Sequence, residues 1–588
     1  MGKILKRLNT KEILMILICV VFIVGQVWLD LRLPDYMSEI TTLVQTPESK
    51  MSEILSVGGW MLLCALGSFV ASVVVGYFAA QIASSFSARL REDLFYKVES
   101  FSMAEINQFS TPSLITRSTN DVTQLRMLIS MGLQLIIKAP IMAVWAITKI
   151  SSKSWQWTVI VAAAVLLLFV LIGTIILLAM PKFKKMQTLT DKLNSVTREN
   201  LLGLRVVRAY NAESYQENKF EEASQAVSGT QRFTGRVMAI MQPGMQIISN
   251  GLTLGVYWIG AFLINQAVGM DKVTVFSDMV VFSSYAMQVV MSFMMLTAIF
   301  IMWPRASVSA TRINEALDME PSITDGPLAI APTDVKGGVE FQNVSFKYPD
   351  AADYVLKDIS FTANSGETVA FIGATGSGKS TLVDLIPRFY DATEGEVLVD
   401  GINVKEYTQE ALHNKLGYVS QKAVLFSGTV ASNVAYGDNG RGETTEEGVK
   451  RAVEIAQAKE FVEGMPGEYN APIARGGTNV SGGQKQRLSI ARAVARDPEI
   501  YIFDDSFSAL DYKTDRKLRS VLNEEVSEAT RLIVAQRIGT IMDADKIIVL
   551  DEGEIVGMGT HEELMENNTV YQEIAYSQLS EEELKHGE

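Results

Sequence analysis

The stretch Val369-Ala-Phe-Ile-Gly-Ala-Thr-Gly-Ser-Gly-Lys-Ser-Thr381 decides the fold of the C-terminal half of this 588-residue chain. An apolar strand, 369–372, leads into a glycine-rich loop, and residues 381–389 have the pattern of a helix. In this order the glycines let successive backbone N–H groups face a phosphate, and the helix N-terminus adds a favourable dipole. The stretch therefore predicts a phosphate-binding loop in an α/β nucleoside-triphosphatase domain.

Side chains in and after this loop are typical of a site for ATP and Mg²⁺, which are the predicted cofactors. Lys379 is expected to pair with the β- and γ-phosphates, and the Ser380 hydroxyl to bind Mg²⁺. A second apolar strand, 499–504, ends in Asp504, which is expected to hold Mg²⁺ through water. The predicted nucleotide contacts from the loop are Gly373, Thr375, Gly376, Ser377, Gly378, Lys379, Ser380 and Thr381.

The N-terminal half has six apolar segments that are long enough to cross a membrane, which takes roughly 20 residues each. They are 12–31, 55–80, 131–150, 157–180, 246–264 and 275–303. The predicted fold is therefore multi-domain. An all-α six-helix transmembrane domain spans 1–305, a proline-containing linker spans 306–336, and the α/β nucleotide-binding domain spans 337–588.

The distribution of charge predicts the orientation of the chain. Lys and Arg concentrate in the N-terminal tail and in the long connections after the second and fourth apolar segments. By the positive-inside rule these parts are cytoplasmic, and an even number of spans places both termini in the cytosol. Segments 95–103 and 191–213 have helical spacing, so the spans are expected to continue as helices into the cytoplasm. We expect a multi-pass protein of the plasma membrane, with the lipid bilayer as a partner.

Composition argues against two other classes of protein. The net charge is −14 and no basic face is present, so no nucleic-acid partner is expected. The two cysteines, Cys19 and Cys64, both lie in apolar runs and form neither a disulfide framework nor a metal-ligand cluster.

Two features inside the predicted spans each have two interpretations. The methionines of the last span suit a surface that accepts many ligands, but lipid contact or helix packing explains them equally. Lys138 marks a polar cavity, or else extends its amine towards the cytoplasmic interface. The methionines concerned are Met287, Met291, Met294, Met295 and Met302.

Just before the second strand lies Val480-Ser-Gly-Gly-Gln-Lys-Gln-Arg-Leu-Ser-Ile-Ala-Arg492. With this stretch, the chain resembles the ABC transporter family, specifically exporters with six spans and one nucleotide-binding domain per chain. The resemblance covers essentially all 588 residues, and the motifs occur in the family's order.

The resemblance implies roles for residues outside the phosphate loop. Tyr348 matches the aromatic residue that stacks on adenine, and Gln421 the glutamine that senses the γ-phosphate and Mg²⁺. The resemblance also implies that two such domains pair head to tail, with each ATP between the phosphate loop of one chain and the signature of the other. The signature residues are Ser481, Gly482, Gly483 and Gln484, Asp511 ends the loop that communicates between the sites, and Arg117–Asp121 and 203–211 resemble the helices that dock on the nucleotide-binding domains.

Two positions depart from the family's pattern. Asp505 stands where the family has the Glu that polarises the attacking water, and Gln536 where it has a γ-phosphate-contacting His. Asp is one methylene, about 1.5 Å, shorter than Glu, and a misplacement of about 1 Å can cost about 10²-fold in rate. Gln donates a hydrogen bond but cannot become cationic. His413, His561 and His586, the chain's three histidines, are not placed to substitute.

These departures predict a site that binds ATP but hydrolyses it slowly, with Asp505, Gln536 and Gln421 as its catalytic residues. The chain is then the degenerate-site subunit of a heterodimer. A second half-transporter supplies the catalytic Glu and the switch His, and this chain's signature completes that partner's site. The predicted function is export of amphipathic drugs or lipids, including multidrug efflux. The alternatives are a slow homodimeric exporter of lipid or peptide, and a nucleotide-sensing regulatory subunit.

Overall fold

The computed structural model describes residues 1–46, 49–151, 155–269, 271–329, 336–349, 351–440 and 442–578. The chain forms two compact units. The first consists of Met1–Lys97 and Pro112–Met319, and the second of Val98–Thr111 and Glu320–Glu588.

The first unit is helical, and the helices of the N-terminal part run without long interruptions. They are α1 (Gly2–Leu5), α2 (Thr10–Gln45), α3 (Met51–Glu99), α4 (Met103–Phe109), α5 (Thr111–Thr116), a π-helical turn (Arg117–Asp121), α6 (Val122–Ser151), α7 (Trp155–Leu202), α8 (Leu204–Ala209), α9 (Glu213–Ala239), α10 (Met241–Gln266) and α11 (Asp271–Asp318). Six stretches of these helices are long and apolar enough to cross a membrane, which confirms the predicted number of spans. Several run far past the predicted apolar segments, as the spacing in 95–103 and 191–213 predicted.

The core of the first unit joins apolar packing to satisfied polar groups. The rings of Trp157 and Phe282 lie 4.9 Å apart, and the indole N–H of Trp157 donates to the Val256 carbonyl at 3.2 Å. The Tyr285 hydroxyl, also buried, donates to Asp35 Oδ1 at 2.6 Å. Because hydrocarbon offers no hydrogen bonds, such internal partners are what make these polar groups tolerable in a bundle of this kind.

Lys138 is part of an ion pair, which decides between its two interpretations. Its Nζ lies 3.1 Å from Asp30 Oδ2, with both side chains about one-fifth exposed. Ser68 donates to the other carboxylate oxygen of Asp30, and Gln288 Nε2 donates to the Asp30 carbonyl at 3.2 Å. Lys138 therefore lies in a polar cluster between helices rather than extending alone to an interface.

The methionines of the last span do not form one uniform surface. Met287 and Met291 are exposed, and Met287 Sδ accepts a hydrogen bond from Ser249 at 3.6 Å. Met294 and Met302 instead pack against the buried clusters of the first unit. Helix packing therefore explains part of the set, and a ligand-facing role stays a prediction for the exposed pair.

The described residues of the second unit form three sheets. A four-stranded antiparallel sheet has the order β2-β1-β4-β5, a six-stranded sheet the order β12-β11-β3-β10-β9-β6, and a small hairpin pairs β7 with β8. In the six-stranded sheet, β11, β3, β10, β9 and β6 are mutually parallel. The strands are β1 (Val339–Phe346), β2 (Leu356–Ala363), β3 (Thr368–Gly373), β4 (Glu394–Val399), β5 (Ile402–Asn403), β6 (Leu416–Val419), β7 (Gly428–Thr429), β8 (Pro472–Ile473), β9 (Ile500–Asp504), β10 (Thr530–Val534), β11 (Lys546–Asp551) and β12 (Glu554–Gly559).

Helices cover this sheet and complete the α/β fold that the sequence predicted. They are α12 (Lys379–Asp384), α13 (Gln409–His413), α14 (Val430–Val434), α15 (Glu446–Ile455), α16 (Lys459–Glu463), α17 (Gly482–Ala495), α18 (Tyr512–Glu525), α19 (His561–Asn567) and α20 (Thr569–Gln578), with short 3₁₀ turns at Glu468–Asn470, Arg475–Gly477 and Ile538–Thr540. Every residue of β9 and β10 is buried, which explains their nearly continuous apolar sequences.

The structure differs from the predicted linker, 306–336, at its start. Helix α11 continues to Asp318, and Ala306, Ala310 and Ile313 are buried in the first unit. Near the other end, Leu328 donates its backbone N–H to the Glu406 carbonyl at 2.9 Å, so it belongs to the second unit. Residues 330–335 lie outside the described residues.

Arg117–Asp121, which resembles a docking segment of the family, forms a π-helical turn, and its docking stays a prediction. This π-helical turn continues directly into α6 and is anchored within the first unit, where Arg117 lies 3.0 Å from Glu315 and Ser309 donates to Asp121 at 2.8 Å. The segment that groups with the second unit is Val98–Thr111, which contains α4. The other expected segment, 203–211, does contain a short separate helix, α8.

Candidate nucleotide-binding site

The order of strands in the six-stranded sheet brings the predicted site residues to one edge. β3 leads into the phosphate loop, β9 ends at Asp504, Gln536 follows β10, and Gln421 follows β6. These four strands are parallel neighbours, so their carboxyl ends lie side by side. In open α/β sheets this edge is where ligands bind.

Glycine is required at two positions of the phosphate loop. Gly373 has φ +156°, and a Cβ there would come within 2.0 Å of the Leu550 carbonyl oxygen. Gly378 has φ +94°, and its Cβ would meet Leu356 Cδ2 at 2.7 Å. The loop therefore packs so closely on neighbouring chain segments that its backbone, rather than side chains, forms the lining.

The Lys379 amine is folded back onto this loop. It donates to the carbonyl oxygens of Gly373 and Ala374, at 2.9 and 2.7 Å, and to Ser377 Oγ at 3.2 Å. Burial lowers the pKa of Lys379, while the charges of Asp505 and Asp504 act in the opposite direction. The amine is thus positioned within the loop, and phosphate oxygens are ligands it can take in exchange for the carbonyls.

Ser380 and Asp504 form the part of the site that fits Mg²⁺. The Ser380 hydroxyl donates to Asp504 Oδ1 at 2.8 Å. Burial raises the pKa of Asp504, and the neighbouring charge of Asp505 raises it further, whereas the bond from Ser380 lowers it. Two adjacent carboxylates in a buried place favour a bound cation, because the cation offsets their mutual repulsion.

The described residues contain no cluster of three or more His, Cys, Asp or Glu side chains that would hold a metal by themselves. At a nucleotide site, phosphate oxygens and waters supply most of the ligands of Mg²⁺ and the protein only one or two. Ser380 and Asp504 would hold the ion, which would neutralise charge on the β- and γ-phosphates. Gln421, the third predicted ligand, contacts Asp505 with its side chain, and a hydrogen bond from its backbone lowers the pKa of Asp504.

The three predicted catalytic residues meet at a single atom. Asp505 Oδ2 accepts hydrogen bonds from Gln421 Nε2 at 3.1 Å and from Gln536 Nε2 at 2.9 Å. Asp505 is 8% exposed, its φ is +46°, and its backbone N–H donates to the Val534 carbonyl at 3.0 Å. The backbone and one carboxylate oxygen of Asp505 are therefore both held by hydrogen bonds.

The histidines that the structure describes are engaged elsewhere. His413 Nε2 lies 2.8 Å from the Pro387 carbonyl, and His561 Nδ1 lies 2.7 Å from the Tyr571 hydroxyl. His586 falls outside the described residues. At the position of the family's histidine, Gln536 is the side chain that contacts Asp505.

Tyr348, the predicted adenine contact, is fixed beside the phosphate-loop helix. Its hydroxyl lies 2.9 Å from Thr381 Oγ1, and its half-buried ring meets Phe346 and Tyr390 edge to face at 5.0 and 5.2 Å. These contacts order the ring without the nucleotide. Stacking on adenine stays a prediction.

The signature residues form the start of α17 and face outwards. Ser481 is the N-cap residue: its Oγ accepts from Gln484 N at 3.3 Å, and its own N–H donates to Gln484 Oε1 at 2.9 Å. Ser481 and Gly482 are exposed, so the helix N-terminus is open to a ligand from outside the chain. A Cβ on Gly483 would lie 3.3 Å from the Ala509 carbonyl, which puts the signature against the loop ending at Asp511.

Asp511 has a structural task of its own at the start of α18. Its side chain accepts from Thr514 N at 3.0 Å and caps the helix. That backbone hydrogen bond lowers the pKa of Asp511. The residue is exposed, as a residue that communicates with a second chain would be.

Two contributors to the site were not found from the sequence. Gln578, in α20, donates to the Gln536 carbonyl at 2.8 Å and accepts from Ile538 N at 2.9 Å, so it fixes the segment that carries Gln536. Asp384 accepts from the Tyr418 hydroxyl at 2.9 Å, and burial raises its pKa to about 6. No motif marks Gln578, whereas a carboxylate in the helix of the phosphate loop is a signal that could have been followed.

Family models match both parts of the chain. The model described as ABC transporter transmembrane region matches residues 13–293, and the one described as ABC transporter matches residues 356–508. An uncharacterized ABC transporter ATP-binding protein of Mycobacterium tuberculosis is 41% identical over 526 residues, which are 89% of this chain and 88% of that protein.

A lipid transporter and an exporter structure are also among the similar proteins. The ATP-dependent lipid A-core flippase of Pseudomonas aeruginosa is 31% identical over 529 residues, covering 90% of this chain and 85% of the flippase. The structure of a bacterial Atm1-family ABC exporter with ATP bound superimposes with a TM-score of 0.78 at 26% identity, covering 98% of this chain and 99% of that one.

Proposed function

This chain belongs to the ABC transporter family and is an ATP-driven translocase of the exporter type, and from this we propose that it is the degenerate-site subunit of a heterodimeric exporter. In this role its own pocket binds ATP with Mg²⁺ but hydrolyses it slowly. Its signature, Ser481 to Gln484, completes the active pocket of a second half-transporter that carries the catalytic Glu and the switch His.

The observation that carries the proposal is the environment of Asp505. A general base must come within hydrogen-bond reach of the attacking water, about 2.6–3.2 Å. Here the carboxylate is short, and Gln421 and Gln536 both donate to the same oxygen. The groups for binding are complete by contrast, since Lys379 and the Ser380–Asp504 pair are in place.

The open signature supports a partner chain. Ser481 and Gly482 are exposed at the N-terminus of a 14-residue helix, where the helix dipole and free N–H groups favour an anion. These are the groups that a γ-phosphate bound by another chain's phosphate loop requires. The same surface would serve a second copy of this chain, so a slow homodimeric exporter is the competing assignment.

We propose amphipathic small molecules, drugs or lipids, as the substrate class. The similarity to a protein named lipid A-core flippase supports the lipid branch. The positive charge of the long connections supports a plasma-membrane orientation with both termini in the cytosol.

ATPase measurements on the purified full-length chain, alone and with its candidate partner, test the proposal. The partner is the half-transporter that has Glu and His at the positions of Asp505 and Gln536. We expect ATP binding but little turnover for the lone chain, and brisk turnover for the complex. Brisk turnover by the lone chain as a self-pair would refute the heterodimer and leave the exporter assignment standing.

A further inference from the structure

A cavity of about 250 Å³ lies in the first unit, between α7, the end of α9, the start of α10 and residues 297–305 of α11. Its walls are apolar and rich in methionine, with Met180, Met186, Met238 and Met241 among them. Methionine side chains are flexible and polarizable, so they adapt to ligands of irregular shape. We propose that this cavity binds an anionic phospholipid from the cytoplasmic leaflet, with the acyl chain along α7 and the phosphate at Arg305.

The position of the cavity along the helices supports a lipid occupant. On α7 it extends from Ile172 to Thr190, roughly 27 Å at 1.5 Å per residue. A little under half of this length falls within the predicted span 157–180 and the rest beyond its cytoplasmic end. On α11 the lining residues, Thr297 to Arg305, likewise straddle the end of the predicted span 275–303. The cavity therefore crosses the expected level of the cytoplasmic interface.

Polarity changes along the cavity in the direction that an amphiphile needs. Towards the membrane the lining is Ile172, Ile175 and Ile176, and Thr297 there donates its hydroxyl to the Phe293 carbonyl of its own helix. The cytoplasmic end has Thr190 and Arg305. The floor is firm, because Ile175 and Ala179 belong to a buried cluster. A hydrocarbon chain suits the first part, and a polar headgroup suits the second.

The charge at the cytoplasmic end selects the sign of that headgroup. Arg305 is exposed. Among the described residues that line the cavity, Arg305 is the one cationic residue, and none of these residues is acidic. Within the part of the chain that the structure describes, Arg305 makes no ion pair or hydrogen bond. A guanidinium is matched to phosphate by its planar pair of donors, so a phospholipid phosphate is the group we assign to it.

This inference deepens the proposed function by naming the substrate class, and its meaning for transport rests on that function.

The test is photolabelling of the full-length chain, without nucleotide, in phosphatidylcholine nanodiscs that contain a diazirine-bearing phosphatidylglycerol. Mass spectrometry then locates the labelled peptides. We expect labels on the segments around Met238 and Arg305, and weaker labels with diazirine-bearing phosphatidylcholine.

Variants of the arginine test the role of charge. Arg305→Gln is expected to reduce phosphatidylglycerol labelling of these segments about fivefold, the factor that one basic residue near a lipid surface contributes. Arg305→Lys should retain most of the labelling. Arg91→Gln is the matched control, since Arg91 is also an exposed arginine of a long helix but does not line the cavity.

Three results would overturn the inference. They are equal labelling of wild type and Arg305→Gln, equal labelling by the two lipids, and labelling of the lone chain that disappears in the complex with its partner. The last result would make the cavity an interface between subunits. ATP binding by the same preparations reports on the nucleotide site separately. A failure of the lipid inference is therefore distinguishable from a failure of the proposed function.

Discussion

Replacing Asp505 with Glu should accelerate ATP hydrolysis in this chain's own pocket. The added methylene moves the carboxylate outwards by about 1.5 Å, and a misplacement of about 1 Å is worth about 10²-fold in rate. That factor is about 2.7 kcal/mol of barrier. Against it stands the loss of the two hydrogen bonds that Gln421 and Gln536 now donate to Oδ2. Both glutamines are exposed, so water can replace the carboxylate as their partner, and we expect a net gain of about 10- to 100-fold.

The assay must isolate one pocket. In the complex with the partner, the partner's catalytic glutamate is changed to glutamine, and single-turnover hydrolysis is followed with ATP bound before mixing. Only the pocket of this chain then contributes. Asp505→Asn is the matched control: it keeps the length of Asp but removes the charge, so it should lower the residual rate.

Two outcomes would refute this reasoning. One is an Asp505→Glu variant that binds ATP as the wild type does but hydrolyses it no faster. The other is an Asp505→Asn variant that hydrolyses ATP as fast as the wild type, which would mean that the Asp505 carboxylate takes no part in the residual turnover. Adding Gln536→His to Asp505→Glu should increase the rate further, because a cationic ring can contact the γ-phosphate and glutamine cannot become charged.

Three further predictions concern the two units. In the intact complex, Ser481→Arg should nearly abolish ATPase activity, because the arginine blocks the pocket that this chain completes for the partner. Asp505→Ala should change that activity little. The reverse ranking in steady-state assays would mean that the two sites are assigned the wrong way round. Folding raises the pKa of Asp384 from its ordinary 3.8 to about 6, so the folded chain binds this proton more tightly than the unfolded chain does. The free energy of unfolding should therefore fall, on the order of 2 kcal/mol, as pH rises from 4 to 6. Asp384→Asn should remove that dependence in thermal-unfolding scans, and an unchanged pH profile would contradict the burial argument. Lys138→Met should destabilise the first unit by roughly 3 kcal/mol because it leaves Asp30 charged and unpaired, and Lys138→Met with Asp30→Leu should recover much of the loss in nanodisc melting experiments.

The sequence was sufficient to predict the strand, loop and helix around the phosphate loop because their signals are local. The stretch from Val369 to Thr381 contains the strand, the turn and the start of the helix, and two of its glycines are required by close contacts. Asp504 was found by the same kind of local pattern, an apolar strand that ends in a carboxylate. The structure adds a direct hydrogen bond between Ser380 and Asp504. The two residues are 124 positions apart in the sequence, so no local pattern predicts this contact.

What the sequence did not predict depends on which groups meet across the fold. Gln421 and Gln536 share one oxygen of Asp505 only because β6, β9 and β10 are neighbours in the sheet. The partners of Arg117–Asp121 were not predictable for a related reason. Arg117 and Asp121 pair with α11 inside the first unit, and residue types alone do not reveal such partners.

The asymmetry of the proposed complex follows from which groups this chain keeps. In the proposed subunit, binding energy resides in the phosphate loop with Lys379 and Ser380, and slow turnover follows from the short side chain of Asp505. Because a ligand that binds only the closed state stabilises it by RT ln(1 + [L]/Kd), ATP at about 100 times its Kd would hold the two nucleotide-binding domains together by about 2.7 kcal/mol. A pocket that hydrolyses its ATP in every cycle loses this stabilisation each time. A slow pocket retains the stabilisation while the partner's pocket hydrolyses ATP. The retained lysine and the shorter carboxylate therefore fit one function. A bound ATP in this pocket keeps the two nucleotide-binding domains associated between transport cycles.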